Sequence, residues 1–267
     1  MANLEIAKWW QTIKISWSKQ ISYRMNFFLQ IFGPAIVFFF VKYNLWSCIF
    51  SKGMEIKIQN YTLQEMIQYH VWARIVSLLG QGHNSMNLSE DIRLGKISTY
   101  LIYPFDFWQF QTASFIAFQG IQLLVTFATL IILSSFGIIA IPPLIPFLSG
   151  ILITLWVGIF WFLLQFLTGL LAFWLEETWI IRVALMIMTS FLSGAIIPLE
   201  FFPKLWKTIM AFTPFPYLTY YPIKIYMGVP SLLMQSMVVL TLWGLIILFL
   251  NTWLWKKGLK MYSGAGM

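Results

Sequence analysis

The chain has 267 residues, 60% of them hydrophobic and 10% charged, with a formal net charge of +8 and a mean hydropathy of +0.78. A soluble domain carries about 25% charged residues, so this chain lacks the polar surface to face water and reads as an integral membrane protein. The positive balance does not point to nucleic acid, because the lysines stand at the ends of apolar runs, the bias that orients membrane proteins.

The opening stretch "MANLEIAKWWQTIKISWSKQ" lacks the early apolar core and small-residue cleavage site of a signal peptide. Residues 1–20 read instead as an interfacial amphipathic helix. Leu4, Ile6, Trp9, Trp10, Ile13 and Trp17 share a broad apolar side, with Lys8, Lys14 and Lys19 elsewhere, and such a helix lies in the headgroup plane. A spanning helix needs about 20 mainly apolar residues. Five runs qualify: Met25 to Trp46, Phe107 to Gly137, Leu144 to Leu175, Trp179 to Leu199, and Ser231 to Trp255.

Between the first two lies a weaker candidate, Leu63 to Gly82, which carries Glu65, Gln68, His70 and Arg74. A central Arg costs about 2.5–3.5 kcal/mol on insertion scales, against about 0.3–0.6 returned by each Leu or Ile. Counting it gives an all-α membrane protein of six spans with both termini on one side. Its polar face is then expected to be covered by other helices or to line a wet cavity. With both ends cytoplasmic, the inner Lys and Arg (Lys8, Lys14, Lys19, Arg24, Arg93, Lys96, Arg182, Lys256, Lys257, Lys260) outnumber the outer ones (Lys42, Lys52, Lys57, Lys204, Lys207, Lys224). No soluble domain, low-complexity linker or internal repeat interrupts the chain, which reads as a single domain over 1–267.

Two segments outside the spans stand out. The loop 86–106 on the cytoplasmic side begins with Asn87, which can cap a helix whose third position is Glu90, close to a capping box. Leu88, Ile92 and Ile97 would form an apolar side beside Asp91, Arg93 and Lys96, Gly95 can end or bend the helix, and Pro104 stops any further helix in the loop. A short helix of mixed charge with a narrow apolar stripe suits docking to a cytoplasmic protein; an ordinary interfacial loop is the alternative. The second segment, 198–222 on the outer side, scatters Pro198, Pro203, Pro214, Pro216 and Pro222 among lysines and aromatics. Pro203 can occupy the first turn of a new helix. Leu205, Ile209 and Phe212 recur at helical spacing, with Lys204 and Lys207 reaching headgroups or water. Non-helical backbone at membrane depth must be sheltered by protein or line a wet cavity. The segment therefore reads as a re-entrant hairpin, with a surface-lying loop as the alternative.

Chemical machinery is not visible. Cys48 is the single cysteine, so neither an intrachain disulfide nor a thiolate metal cluster can form. Gly95-Lys96 has no glycine five positions earlier and is followed by Ile97, so it is no phosphate-binding loop. His70 and His83 have no metal-ligand spacing, and no nucleophile elbow occurs. Glu176 and Glu177 are adjacent, about 100° apart on a helix, and so form no shared-proton dyad. They are solvated or pair with a partner. Arg74 is an intramembrane charge, hence a candidate functional residue. His70 lies one turn before it, and structural pairing and substrate contact both remain open.

At these residues the chain resembles a permease of the ABC type-2 transporter family over nearly its whole length. The resemblance rests on the interfacial helix, on D-I-R-x-G at Asp91 to Gly95 followed by Pro104 and Asp106, and on the hairpin set Gly194, Pro198, Pro203 and Pro214. The ending Gly258, Leu259, Tyr262 and Ser263 is similar to the G-L-x-x-Y-S close of one subgroup. The resemblance implies a six-helix half of a dimeric exporter in the cell's inner (plasma) membrane, paired with a second copy or a related permease and embedded in lipid. Cytoplasmic ABC ATPase subunits would bind ATP-Mg, and this chain would bind no cofactor, metal or nucleic acid and catalyse no reaction itself. Glu90, Asp91, Arg93 and Gly95 would couple to the ATPase. His70, Arg74, Met186, Ser190 and Ser193 would line the translocation path, and Pro198, Phe201, Pro203 and Pro214 would form the outer gate. The polar second span departs from a featureless apolar tunnel. Two other classes compete: an ion-coupled secondary transporter, which needs intramembrane acids where only Glu65 is available, and a polytopic membrane enzyme, which needs a paired His and carboxylate.

Overall fold

The computed structural model of the chain describes residues 2–22, 33, 37–50, 57–80, 86–98, 107–135, 137 and 139–262. Among them the regular structure is helical and no strand forms. His83, Pro104, Asp106, Ser263 and half of the first predicted span lie outside the described residues. Helix α1 is Ala2–Ser22. The tail of the first span is a π-helical turn, Phe38–Tyr43, running into α2 (Asn44–Ile49). Then come α3 (Leu63–Gly80), α4 (Met86–Arg93), α5 (Phe107–Ser135) and α6 (Leu144–Leu170), which a 3-10 turn extends over Leu171–Phe173. Helix α7 is Trp179–Leu192. A turn at Leu199–Phe201 leads to α8 (Lys204–Ala211), α9 (Phe215–Leu218), α10 (Tyr220–Tyr226) and the long α11 (Leu232–Met261).

Among the described residues three helical stretches are long and apolar enough to cross a bilayer: Phe107–Ser135, Leu144–Phe173 and Leu232–Met261. At 1.5 Å per residue their 29 to 30 residues reach about 44 Å, more than the roughly 30 Å of hydrocarbon. Their outward faces are apolar, with Leu124, Phe127 and Ile131 on α5 and Leu242, Leu245, Phe249 and Trp253 on α11 all exposed. This inverts the pattern of a water-soluble helix and requires lipid around it.

The boundaries are set by local chemistry. Helix α5 stops at Ser135, short of the expected Gly137, which takes a left-handed φ of 67° and donates its N–H to Ser134 O. Pro143 is the N-cap of α6. Helix α7 ends at Leu192 rather than Leu199, because Gly194 turns out of the helix with φ 79°. Helix α11 runs beyond the expected Trp255 to Met261, carried by Lys256, Lys257 and Lys260, whose charge complements a helix C-terminus.

Helix α6 lies at the centre and packs against α3, α4, α7, α9, α10 and α11. One core cluster gathers Trp46, Tyr69, Trp72, Ile223 and Tyr226 at the end of the bundle that holds the proline segment. A second surrounds Ile153, Val157 and Phe160 at mid-height. A third joins Leu88, Ile92, Ile97, Phe107, Phe166 and Leu170 at the opposite end. Helix α1 packs on α5, where Trp17 donates its Nε1–H to Ala117 O at 2.5 Å and Ser16 Oγ lies 3.3 Å from Ser114 Oγ.

Candidate functional site

The proline segment is a broken run of short helices fastened by side chains. Pro198 is buried, Pro203 is the N-cap of α8 rather than its first residue, and Pro214 is the N-cap of α9. The segment does not stop at Pro222, since α10 continues to Tyr226 and buries Pro222, Ile223, Ile225 and Tyr226 against α6, α3 and α11. Phe201 packs on Trp46 and Tyr61, with ring centroids at 6.0 and 6.5 Å. Leu205, Ile209 and Phe212 do share one face of α8, and that face points outward.

Glu200 is the hub of this end. Its Oε1 accepts from Tyr220 OH at 2.7 Å and Tyr61 OH at 3.1 Å, and pairs with Lys224 Nζ at 2.7 Å. Lys224 also lies over the Tyr61 ring at 4.6 Å, and Glu200 Oε2 is enclosed with no partner among the described residues. Burial alone would raise the carboxyl's pKa. The hydrogen bonds from Lys224 and Tyr220 outweigh it and hold the group below the ordinary 4.5. Tyr61 is presented by a tight turn in which Gln59 and Asn60 both take positive φ, 51° and 68°, closed by reciprocal bonds between Ile58 and Tyr61. Free carbonyls of the broken backbone are also capped: Lys42 Nζ donates to Ile196 O at 3.0 Å, Tyr69 OH to Gly194 O at 2.7 Å, and Lys207 Nζ to Glu200 O at 3.1 Å. Gly194 is required twice, by its positive φ and because a Cβ there would lie 3.1 Å from Tyr69 Oη and Tyr220 Cβ.

Glu65 has a structural task. Thr62 Oγ1 accepts from Glu65 N, and Glu65 Oε2 accepts from Thr62 N at 2.8 Å, a reciprocal capping box at the start of α3. The T-x-x-E spacing of residues 62–65 carried that signal in the sequence.

The opposite end holds α4. The helix already includes Met86, so Asn87 is not its N-cap. Gly95 closes it with φ 73°, its N–H on Ile92 O and that of Lys96 on Asp91 O, a Schellman ending. The apolar stripe does not face outward for docking. Leu88, Ile92 and Ile97 are buried against Phe166 and Leu170 of the same chain. Asp91 is likewise turned inward, its side chain 12% exposed and 3.9 Å from Lys96 Nζ. The exposed set is Glu90, Arg93, Leu94 and Lys96, and Arg93 Nη1 donates to Glu177 Oε1 at 3.2 Å.

The residues expected along a path separate. His70 is 3% exposed and accepts from Trp46 Nε1 at 2.7 Å through Nε2. Within this chain it is a packed hydrogen-bond acceptor. Ser193 is fully buried, its backbone carbonyl accepting from Tyr220 N, and does not line open space. Met186 points outward, and Ser190 Oγ bonds back to Met186 O. Arg74 is half-buried on α3. The sequence reading missed Glu200, Tyr61, Tyr220 and Lys224 as a group.

Among the described residues no group of three or more His, Cys, Asp or Glu could hold a metal ion. No curated protein and no solved structure matches the chain. A family model described as "ABC-2 family transporter protein" matches residues 36–266. An all-helical chain with outward apolar faces, matched over that length, is a multi-pass membrane protein and belongs to the ABC-2 transporter family.

Proposed function

We propose that the chain is the permease half of an ATP-driven exporter, moving cargo through a path formed by two permease chains and taking its work from separate ABC ATPase subunits. The observation that carries this reading is the state of α4. Its apolar side is locked into the inner core, while Glu90, Arg93, Leu94 and Lys96 are exposed on the other side. A short charged helix fixed to the end of an apolar bundle, with one exposed leucine directly after its last residue, fits a groove in a soluble partner.

Six spans result when α3 and α7 are counted with the three long helices and the first apolar run. Helix α7 has 14 residues, about 21 Å, and buries only Thr189 of its side chains against its own chain. A second permease chain is the natural cover for so sparsely packed a membrane helix. Helix α1 fits the cytoplasmic headgroup layer. Trp17 meets α5 at Ala117, ten residues or about 15 Å from its start, and the stretch before it carries Gln109, Gln111, Thr112 and Ser114. The segment 198–226 then re-enters the outer leaflet, its carbonyls at Glu200, Ala211 and Phe212 accepting from Lys207, Tyr217 and Trp243 and those of Gly194 and Ile196 just before it from Tyr69 and Lys42, as a hairpin at that depth requires. ATP binding has leverage on the path because it favours one of the permease's two states.

The test is co-purification of the permease with its ABC ATPase. Replacing Arg93 by Glu and Leu94 by Asp together is expected to reduce retained ATPase at least tenfold. Full retention would place docking elsewhere and remove the main support for the reading.

A further inference from the structure

We infer that α6 is a stiff connecting rod, and that two glycine sockets on it, Gly169 filled by Leu88 and Gly150 filled by Tyr226, carry movement of α4 to the proline hairpin. The inference rests on the exporter reading above.

Glycine weakens a helix interior, yet α6 carries Gly150, Gly158 and Gly169. Each is occupied by a different element. A Cβ at Gly169 would come within 2.7 Å of Leu88 Cδ2 and 3.1 Å of Leu88 Cβ, so the side chain and the helix that bears it both abut the rod. A Cβ at Gly158 would meet Gln119 Nε2 of α5 at 2.5 Å, and one at Gly150 would overlap the ring of Tyr226 on α10. The glycines therefore serve close approach rather than flexibility.

Gly150 and Gly169 lie at opposite ends of the rod, 19 residues and about 28 Å apart. Leu88 and Tyr226 are both essentially fully buried. Tyr226 is further fixed by stacking on Trp72, with centroids at 4.3 Å and planes 7° apart. Among the described elements, the principal packing partners of α4 are α6 and the 171–173 turn that prolongs it, and α10 packs most extensively on α6. Close-packed interfaces switch between discrete arrangements rather than stretch. A displacement of α4 therefore moves α6, and α6 moves α10. Helix α10 also carries Tyr220 and Lys224, the two groups that hold Glu200 most closely, so the rod ends at the hub of the hairpin.

The experiment uses the permease co-purified with its ATPase in a Cys48→Ser background, since Cys48 is the only cysteine. Single cysteines at exposed Ser98, just after α4, and exposed Thr208, on α8, report thiol-labelling rates with ADP and with a non-hydrolysable ATP analogue. The nucleotide is expected to change the rate at least threefold at both positions. Leu88→Ala and Tyr226→Ala should abolish the response at Thr208→Cys and leave that at Ser98→Cys, while Tyr226→Phe, which still fills the socket, retains both. If an alanine variant does not elute as a folded complex, Leu88→Val or Tyr226→Leu replaces it with the same readings. An unaltered Thr208→Cys response in both emptied sockets overturns the rod. Absence of any nucleotide response in the parent instead overturns the exporter reading.

Discussion

The two ends of the bundle are held by different forces. At the hairpin end, directional bonds dominate. Glu200 gathers Tyr61, Tyr220 and Lys224, and backbone carbonyls at Gly194, Ile196, Ala211 and Phe212 accept from Tyr69, Lys42, Tyr217 and Trp243. At the α4 end, attachment is apolar packing, and the bridge from Arg93 to Glu177 is more than half exposed on both sides. A backbone broken repeatedly by proline in apolar surroundings leaves carbonyls and N–H groups that must each find a partner. Helix α4 is unbroken and ends in its own backbone bonds at Gly95 and Lys96, so apolar packing suffices to hold it.

The sharpest way to break that contrast is Glu200→Ala. The Lys224 ammonium would keep most of its burial, 21% of its side chain being exposed, and lose its counter-charge, with two tyrosine hydroxyls left unpaired. Breaking a buried pair costs about 3–5 kcal/mol. With both partners partly exposed, a loss of about 2–3 kcal/mol is expected in thermal unfolding of the detergent-solubilised protein. Glu200→Gln should lose less, because its amide still offers an acceptor. The pH dependence has a definite sign. The folded carboxyl sits below its ordinary 4.5, so its contribution is complete above that value and disappears as pH falls through the lower folded value. Unfolding should show no Glu200-dependent change between pH 5 and 8 and a decline below about 4.5 that Glu200→Gln lacks. A hub-dependent transition near neutrality would contradict the assignment.

Next in size is a pair of glycines. Gly150→Ala drives a methyl into the Tyr226 ring, and overpacking of this kind costs about 1–3 kcal/mol. Gly244→Ala on α11 has its nearest neighbours at 3.9 Å, and alanine there should gain about 0.5–1 kcal/mol from helix propensity. The two substitutions are chemically identical, so opposite signs in the same unfolding assay isolate the socket. Equal effects would remove it. Smaller again is Thr62→Ala, which opens the capping box of α3 and is expected to cost about 1 kcal/mol. Thr62→Ser, which restores the hydroxyl, should recover most of it.

The contrast between the ends also governs what the sequence could tell. The long apolar runs of α5, α6 and α11 were legible because each is one uninterrupted pattern, and their ends shifted at Gly137, at the 171–173 turn that closes α6 short of the expected Leu175, and at the terminal lysines. The stripe Leu88, Ile92 and Ile97 was legible as a stripe, but spacing does not say which surface it meets, and it meets its own chain. Glu65 was weighed as a membrane acid although Thr62 stands three residues before it. The Glu200 hub was out of reach for another reason. Tyr61 is 139 residues from Glu200, and nothing in either neighbourhood names the other. His70 shows the same limit: an ionisable residue in a span suggested a path, and its bond from Trp46, 24 residues away, was not visible in the spacing.

The smallest stability effect belongs to the exposed bridge of Arg93 and Glu177. Surface pairs contribute about 0–1 kcal/mol and are screened by salt, so Arg93→Ala should leave unfolding unchanged within about 0.5 kcal/mol. That near-silence gives the substitution its value. A change in ATPase retention on Arg93→Ala without loss of stability would separate docking from folding, which no buried residue of α4 can do. Glu177→Ala, removing the bridge from its other side, completes the comparison. If Arg93 works through the bridge, the two variants lose the ATPase equally. If it reaches the partner directly, Glu177→Ala frees its guanidinium and retention holds or rises.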